Sequence, residues 1–470
     1  MESKAIEKEV KIKTRKESSH SSTSTSSSIS IEEEKKENQI IEKGKIETEI
    51  EIEYSKLKSS SKDKFELFLS EIEEVKTQKE NEFCCSSKKS ENNLIQDENR
   101  SIEEIIFSKG FKCEQHFVKT EDGYILTLFR IPGGKNCEDG SKLPPVLLQH
   151  GIFDSSDGWV CNGEDHSIAF VLAKNNFDVW LSNSRGNKYC KIHEKLKNDS
   201  FEFWQFSFHD LGLYDIPAVI KYIRDVNKSG EKIIYFGHSQ GATLMLSGMA
   251  ENYDFFKKNI KLFVALAPVA RLNHLGSTLL NILSNISIPK LMQISEKYEI
   301  CPESEGTSNC ISFMNKNANR LTNFFIGLIS DTNSKEYNDQ NSLSVYFKHY
   351  PCGTSLKCLM HFAQIIKAKK FLHFDYKDDA NYVIYHQKNP PEYDLSVIRD
   401  LPIMLITGEK DKLANSDDVR WLYNELKNNV IYFNIVPDMG HLSFLCGKNF
   451  SWFKEPLEYI LEEFVPQSDN

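Results

Sequence analysis

No stretch of the 470-residue chain is apolar for the roughly 18 residues that a bilayer-spanning helix requires, so no transmembrane span is expected. The first residues, MESKAIEKEVKIKTRKESSH, lack the apolar core of about 7–15 residues found in a secretory signal, which predicts a cytosolic start. There is no surplus of basic charge either. Lys and Arg number 58 against 68 Asp and Glu, a formal net charge of −10, which argues against nucleic acid as a partner. HExxH, Walker and paired CxxC patterns are missing, so neither a metal nor an organic cofactor is expected.

Other scarcities divide the chain in two. Residues 1–100 hold none of the 14 prolines and few aromatics; mixed charges and the tract SSHSSTSTSSSIS dominate instead. Such a segment buries too little apolar surface to offset its ordering entropy and reads as a disordered or partly helical tail. KIETEIEIE alternates as a strand would, but with no apolar partner nearby a solvated tail is the better reading. From Ser101 to Asn470 the composition is that of a folded domain. In the chain as a whole, 40% hydrophobic residues and 11% aromatics suffice for a sizeable core.

The domain alternates short apolar strands with longer amphipathic helices. HFVKTEDGYILTLFRIPGG reads as a hairpin around Asp122-Gly123. PPVLLQHGI, DVWLSN, EKIIYFGHS, KLFVALAPVA, LPIMLITG and VIYFNIVP read as buried strands. Helical patterns separate them, including one helix over FSFHDLGLYDIPAVIKYIRDV. This alternation predicts an α/β fold with a mostly parallel central sheet flanked by helices on both faces.

Within IIYFGHSQGATLML, Gly237-His238-Ser239-Gln240-Gly241 matches G-x-S-x-G. With two free positions the match is cheap, but its context is not. A strand ends in GHSQG and a helix opens at once, the sharp turn that strains a nucleophilic serine and needs small neighbours. Ser239 is therefore the candidate nucleophile. Acyl transfer also needs donors for a developing oxyanion, and the backbone amides of Gln240 and of Ile152, in LLQHGIFDS, are the candidates. His150 in the same loop reads as a shaping residue rather than a base. An acid and then a histidine should follow, each just past a strand. Asp411 lies in ITGEKDKLA, with Asp417, Asp418 and Glu409 as rivals; His441 lies in VPDMGHLSF. In that order His441 is the base and Asp411 fixes its tautomer.

These residues, together with VKTEDGYILTLFRIP, LLQHGIFDSSDGWV, FDVWLSNSRGNKY, EFWQFSFHDLGLYDIPAVI, ALAPVA, YPCGTSLKCLMHFAQ, FDYKDDANYVIYHQKNPPEYDL and PDMGHLSFL, resemble the acid lipases from about Ser101 to Phe464 in one continuous order. That family of α/β-hydrolases includes gastric and lysosomal lipases and steryl ester hydrolases. The resemblance implies a serine hydrolase that cleaves carboxylic esters of lipids, triacylglycerols or steryl esters, at a lipid–water interface. By position it assigns Ser239, Asp411 and His441 to the triad and Ile152 and Gln240 to the oxyanion hole. It further implies a helical cap or lid inserted at about 271–394 and a disulfide between Cys301 and Cys310. Two features depart from the family: Ser443 stands where many relatives have an aspartate, and the charged tail replaces a signal peptide. The family is lysosomal or extracellular, and a disulfide would need such a compartment. The leaderless start points instead to the cytosol or lipid bodies, and the N-x-S sequons at Asn99, Asn198, Asn227, Asn285 and Asn449 weigh little. Competing functions are a carboxylesterase or thioesterase for soluble acyl substrates, or an inactive binding protein.

Overall fold

Chain direction in the domain is set by a hairpin. Strands β1 (Glu114–Lys119) and β2 (Tyr124–Pro132) pair antiparallel, and between them Gly123 takes a φ of 101° that suits glycine alone. The computed structural model describes residues 96–275, 298–300 and 338–465. Cys301, Cys310, much of the expected cap and nearly all of the expected tail lie outside them. Seven cysteines are described, and all seven are free thiols. Before the hairpin, helix α1 (Ile102–Ser108) starts at a capping box in which Ser101 and Glu104 satisfy each other's backbone amides.

β3 (Pro145–Gln149) and β4 (Asp178–Leu181) follow, separated by helix α2 (Ile168–Lys174); the short β5 (Ile192–His193) pairs with β2. Helix α3 (Ile216–Val226) leads to β6 (Ile233–His238), helix α4 (Gln240–Asn259) and β7 (Ile260–Leu266). In the inserted region, β8 (Glu299–Ile300) and β9 (Thr354–Ser355) form a separate antiparallel pair. Helices α5 (Gln340–His349), α6 (Leu356–Ala368) and α7 (Asp378–Tyr385) lie around it in sequence. The main sheet resumes with β10 (Ile403–Gly408), helix α8 (Ser416–Leu426), β11 (Val430–Val436) and the closing helix α9 (Lys454–Glu463).

The strand order is β1-β2-β4-β3-β6-β7-β10-β11, and every pairing from β4 to β11 is parallel. Each residue of β3, β6 and β10 is buried, as expected of strands covered on both faces. α3 covers the sheet with Ile216, Val219, Ile220 and Ile223, a helical stripe spaced by three and four residues. The helix expected over Phe206–Val226 runs unbroken from Phe208 but contains a π-helical turn. A short helical turn at Phe208–Asp210 runs into a π-helical turn at Leu211–Asp215 before α3 begins. Pro217 has no amide to bond the preceding turn. Gly212 also lies so close to α4 that a Cβ there would sit 2.5 Å from Ser247 Oγ.

The carboxyl ends of β3, β6, β10 and β11 all point to one edge of the sheet. In open α/β sheets this is the edge where ligands bind.

Candidate active site

β6 passes into α4 through one residue, Ser239, held at φ 54° and ψ −117°. Positive φ is strained for a residue with a Cβ. The Ser239 amide anchors the turn by donating to the Leu266 carbonyl at 2.9 Å. The flanking glycines follow from the same geometry. A Cβ at Gly237 would lie 2.6 Å from the Gly241 carbonyl carbon, and one at Gly241 would lie 2.3 Å from the Gln149 oxygen. Gly151, just past β3, lets its loop lean on the serine, since a Cβ there would be 3.1 Å from Ser239 Cβ.

That loop places Ile152 on the cavity wall beside Ser239, while Gln240 opens α4. Neither the Ile152 nor the Gln240 amide donates to an acceptor among the described residues. The positive end of the α4 dipole lies at the same point. The Gln240 side chain turns away and donates to Cys358 Sγ at 3.1 Å. Both ring nitrogens of His150 are committed: Nδ1 donates to the Gly151 carbonyl at 2.7 Å and Nε2 accepts from the Ser184 amide at 3.1 Å. Burial lowers its pKa to about 4, so this ring stays neutral and shapes the loop.

Asp411 follows β10 and His441 follows β11. Nδ1 of His441 donates to Asp411 Oδ2 at 2.8 Å, and both side chains are buried. Asp411 Oδ1 accepts from the amides of Leu413 at 2.8 Å and Ala414 at 2.7 Å, which fixes the carboxylate plane. A carboxylate only accepts, so the neutral ring carries its proton on Nδ1 and keeps a lone pair on Nε2. Two of the rival acids are engaged elsewhere. Asp418 binds the Asn273 and His274 amides and Arg271. Glu409 binds the Asp438 amide and Lys410. Asp417 lies in the first turn of α8, its amide bonded to Asn415. Ser443, at the position where an aspartate was expected, donates to Asn338 Oδ1 at 2.8 Å and accepts from the Gly440 amide.

Ser239 and His441 share the wall of one cavity with Gly151, Ile152 and Leu413, and with Tyr346 and Tyr350, from α5 and just beyond it. Two further side chains at this cavity were not singled out from the sequence. Nε2 of His238 donates to the His441 carbonyl at 3.0 Å, and burial lowers the His238 pKa to about 3. Its only sequence signal is the free position before the serine in G-x-S-x-G. Asp154 is buried with Oδ2 accepting from the Tyr346 hydroxyl at 3.0 Å, and burial raises its pKa to about 7. Gly158 leaves room for it: a Cβ there would be 2.7 Å from Asp154 Oδ2.

Comparison with known families agrees with this fold. Residues 102–163 match the family described as a partial alpha/beta-hydrolase lipase region, and residues 144–447 match that of the alpha/beta hydrolase fold. Human lipase member K is 34% identical over 80% of this chain and 94% of its own length. The chain belongs to the acid-lipase family of α/β-hydrolases. Rat gastric triacylglycerol lipase is 37% identical, over 78% of this chain and 91% of its own length. Human lysosomal acid lipase/cholesteryl ester hydrolase is 36% identical, over 75% and 88%. These relatives are thus matched over 88–94% of their own lengths.

Proposed function

We propose that this protein is a serine hydrolase that cleaves carboxylic ester bonds of lipids, with Ser239, His441 and Asp411 as its triad. The observation that carries the reading is the Asp411–His441 hydrogen bond at the cavity that also holds Ser239. His441 Nε2 takes the proton of Ser239 Oγ as the oxygen attacks the ester carbonyl carbon. The amides of Ile152 and Gln240 receive the negative charge on the carbonyl oxygen, each such donor being worth about 3–4 kcal/mol of barrier. His441 then protonates the departing alcohol oxygen and leaves an acyl-enzyme. Water, deprotonated by the same imidazole, attacks the acyl carbon and releases the carboxylic acid and free Ser239.

A lipid ester rather than a soluble one is favoured by the names of the relatives and by the inserted region at about 271–394, which we read as a cap. On α7 in that region, Tyr382, Val383 and Ile384 are exposed in succession, apolar surface suited to a lipid–water interface. Among the described residues no helix is long and apolar enough to cross a membrane. Two measurements test the proposal. A fluorophosphonate probe should label the wild type and not Ser239→Ala; equal labelling removes Ser239 as nucleophile. Emulsified triolein, cholesteryl oleate and a soluble butyrate ester should then be compared, and a clear preference for the soluble ester would overturn the lipid assignment.

A further inference from the structure

Away from the cavity, three side chains from distant parts of the chain converge. His209 lies in the turn Phe208–Asp210, Glu251 in α4 beside Asn252, and His373 in the loop between α6 and α7. Asn252 breaks the helix there, with φ −148°. Each residue offers one ligand atom, and all three atoms lie within 4.8 Å of one another, the one such group among the described residues.

The hydrogen bonds around these rings narrow what the group can hold. Nδ1 of His373 faces the Pro391 carbonyl at 3.0 Å, so it carries a proton. Its Nε2 lies 2.6 Å from Glu251 Oε1. A proton shared there would join those two atoms alone. His209 adds a third ligand; its Nδ1 is held at 2.9 Å by the Tyr393 hydroxyl. Tyr393 also stacks on His373, ring centroids 4.1 Å apart, which fixes that imidazole. Ligating histidines are oriented in this way, by a backbone carbonyl or polar group on the nitrogen remote from the metal.

We propose that His209, Glu251 and His373 bind a divalent transition ion, Zn2+ by ligand type, with water completing the coordination. Two imidazoles and a carboxylate suit that ion, and bonds of about 2.0–2.2 Å at tetrahedral angles place ligand atoms about 3.4 Å apart. The His373–Glu251 pair would open slightly and the longest separation would close, which the part-exposed Glu251 side chain permits. The ion would tie the inserted region, through His373, to α4 and to the turn that precedes α3. None of the three residues lines the cavity at Ser239, so its role is structural. The ligands are far apart in sequence, Glu251 and His373 by 122 positions, and no local metal motif announces them.

The test uses the full chain stripped with chelator and titrated calorimetrically with ZnCl2. One equivalent should bind with micromolar or tighter affinity and raise Tm, and Co2+ should give the intense visible bands of a four-coordinate site. Glu251→Gln and His373→Ala should each weaken binding at least about tenfold. If His373→Ala fails to fold, Glu251→Gln, a part-exposed and nearly isosteric change, decides alone. Absence of saturable binding to the wild type, or undiminished binding to Glu251→Gln, overturns the site. Metal-free hydrolysis of a soluble ester should persist in both wild type and Glu251→Gln, which keeps this result separate from the fate of the hydrolase reading.

Discussion

Replacing Asp411 by Asn tests the site at its most constrained point. The carboxylate uses one oxygen for His441 Nδ1 and the other for the amides of Leu413 and Ala414. An asparagine has one oxygen and must choose. Turned toward the two amides, it aims its NH2 at His441 Nδ1, which must then accept, and the ring proton moves to Nε2. That nitrogen no longer takes the Ser239 proton. Turned the other way, the NH2 meets two amide donors in a buried loop and costs about 1–3 kcal/mol per unpaired group. The first orientation is cheaper, so the folded enzyme holds the wrong tautomer. A loss of about 10⁴ in kcat is expected, equivalent to about 5 kcal/mol of barrier. Initial rates on a soluble ester would be compared with wild type at several pH values, with circular dichroism to confirm the fold. A well-folded variant that keeps more than about a tenth of wild-type kcat would refute the tautomer reasoning.

Gly241→Ala would place a methyl 2.3 Å from the Gln149 oxygen, and both sides of that contact are backbone. Displacing the serine turn by even about 1 Å should cost about 10²-fold in kcat, read by steady-state kinetics; an active variant would contradict the close approach. Arg185 is buried between Asp122 and Asp215, and Arg185→Met should destabilise the chain by about 3–5 kcal/mol in urea unfolding, because two carboxylates lose their cation. A change below about 1 kcal/mol would show that the Asp122–Arg185–Asp215 cluster is dispensable. Asp154, raised to about 7, holds its proton in the folded state at pH values where the unfolded chain, near 3.9, has lost it. Its contribution to stability therefore declines as pH rises from about 4 to about 7, by up to about 4 kcal/mol. Asp154→Asn should flatten the pH dependence of Tm over that window, and an unchanged slope would disprove the assignment.

The parallel sheet was legible because strands buried on both faces are continuous apolar runs, as in LPIMLITG and EKIIYFGHS. The convergence of Ser239, Asp411 and His441 was legible for a related reason: each lies just past such a run. The π-helical turn at Leu211–Asp215 was not, because it depends on the approach of Gly212 to α4, a contact made across the fold. His238 and Asp154 escaped notice because their environments, not their spacing, give them roles. Asn227, in a sequon given little weight from sequence, is occupied within the fold. Its Nδ2 donates to the Leu143 carbonyl and to Asp178 inside the fold, so this N-x-S is closed to glycosylation in the native chain.

The cavity lining comes from two parts of the chain: Ser239, His441 and the Gly151 loop from strand ends of the sheet, and Tyr346 and Tyr350 from the segment between β7 and β10. On the proposed reading, exchanging Tyr346 or Tyr350 for smaller side chains should change which acyl chains are accepted while the Asp411–His441 hydrogen bond stays in place.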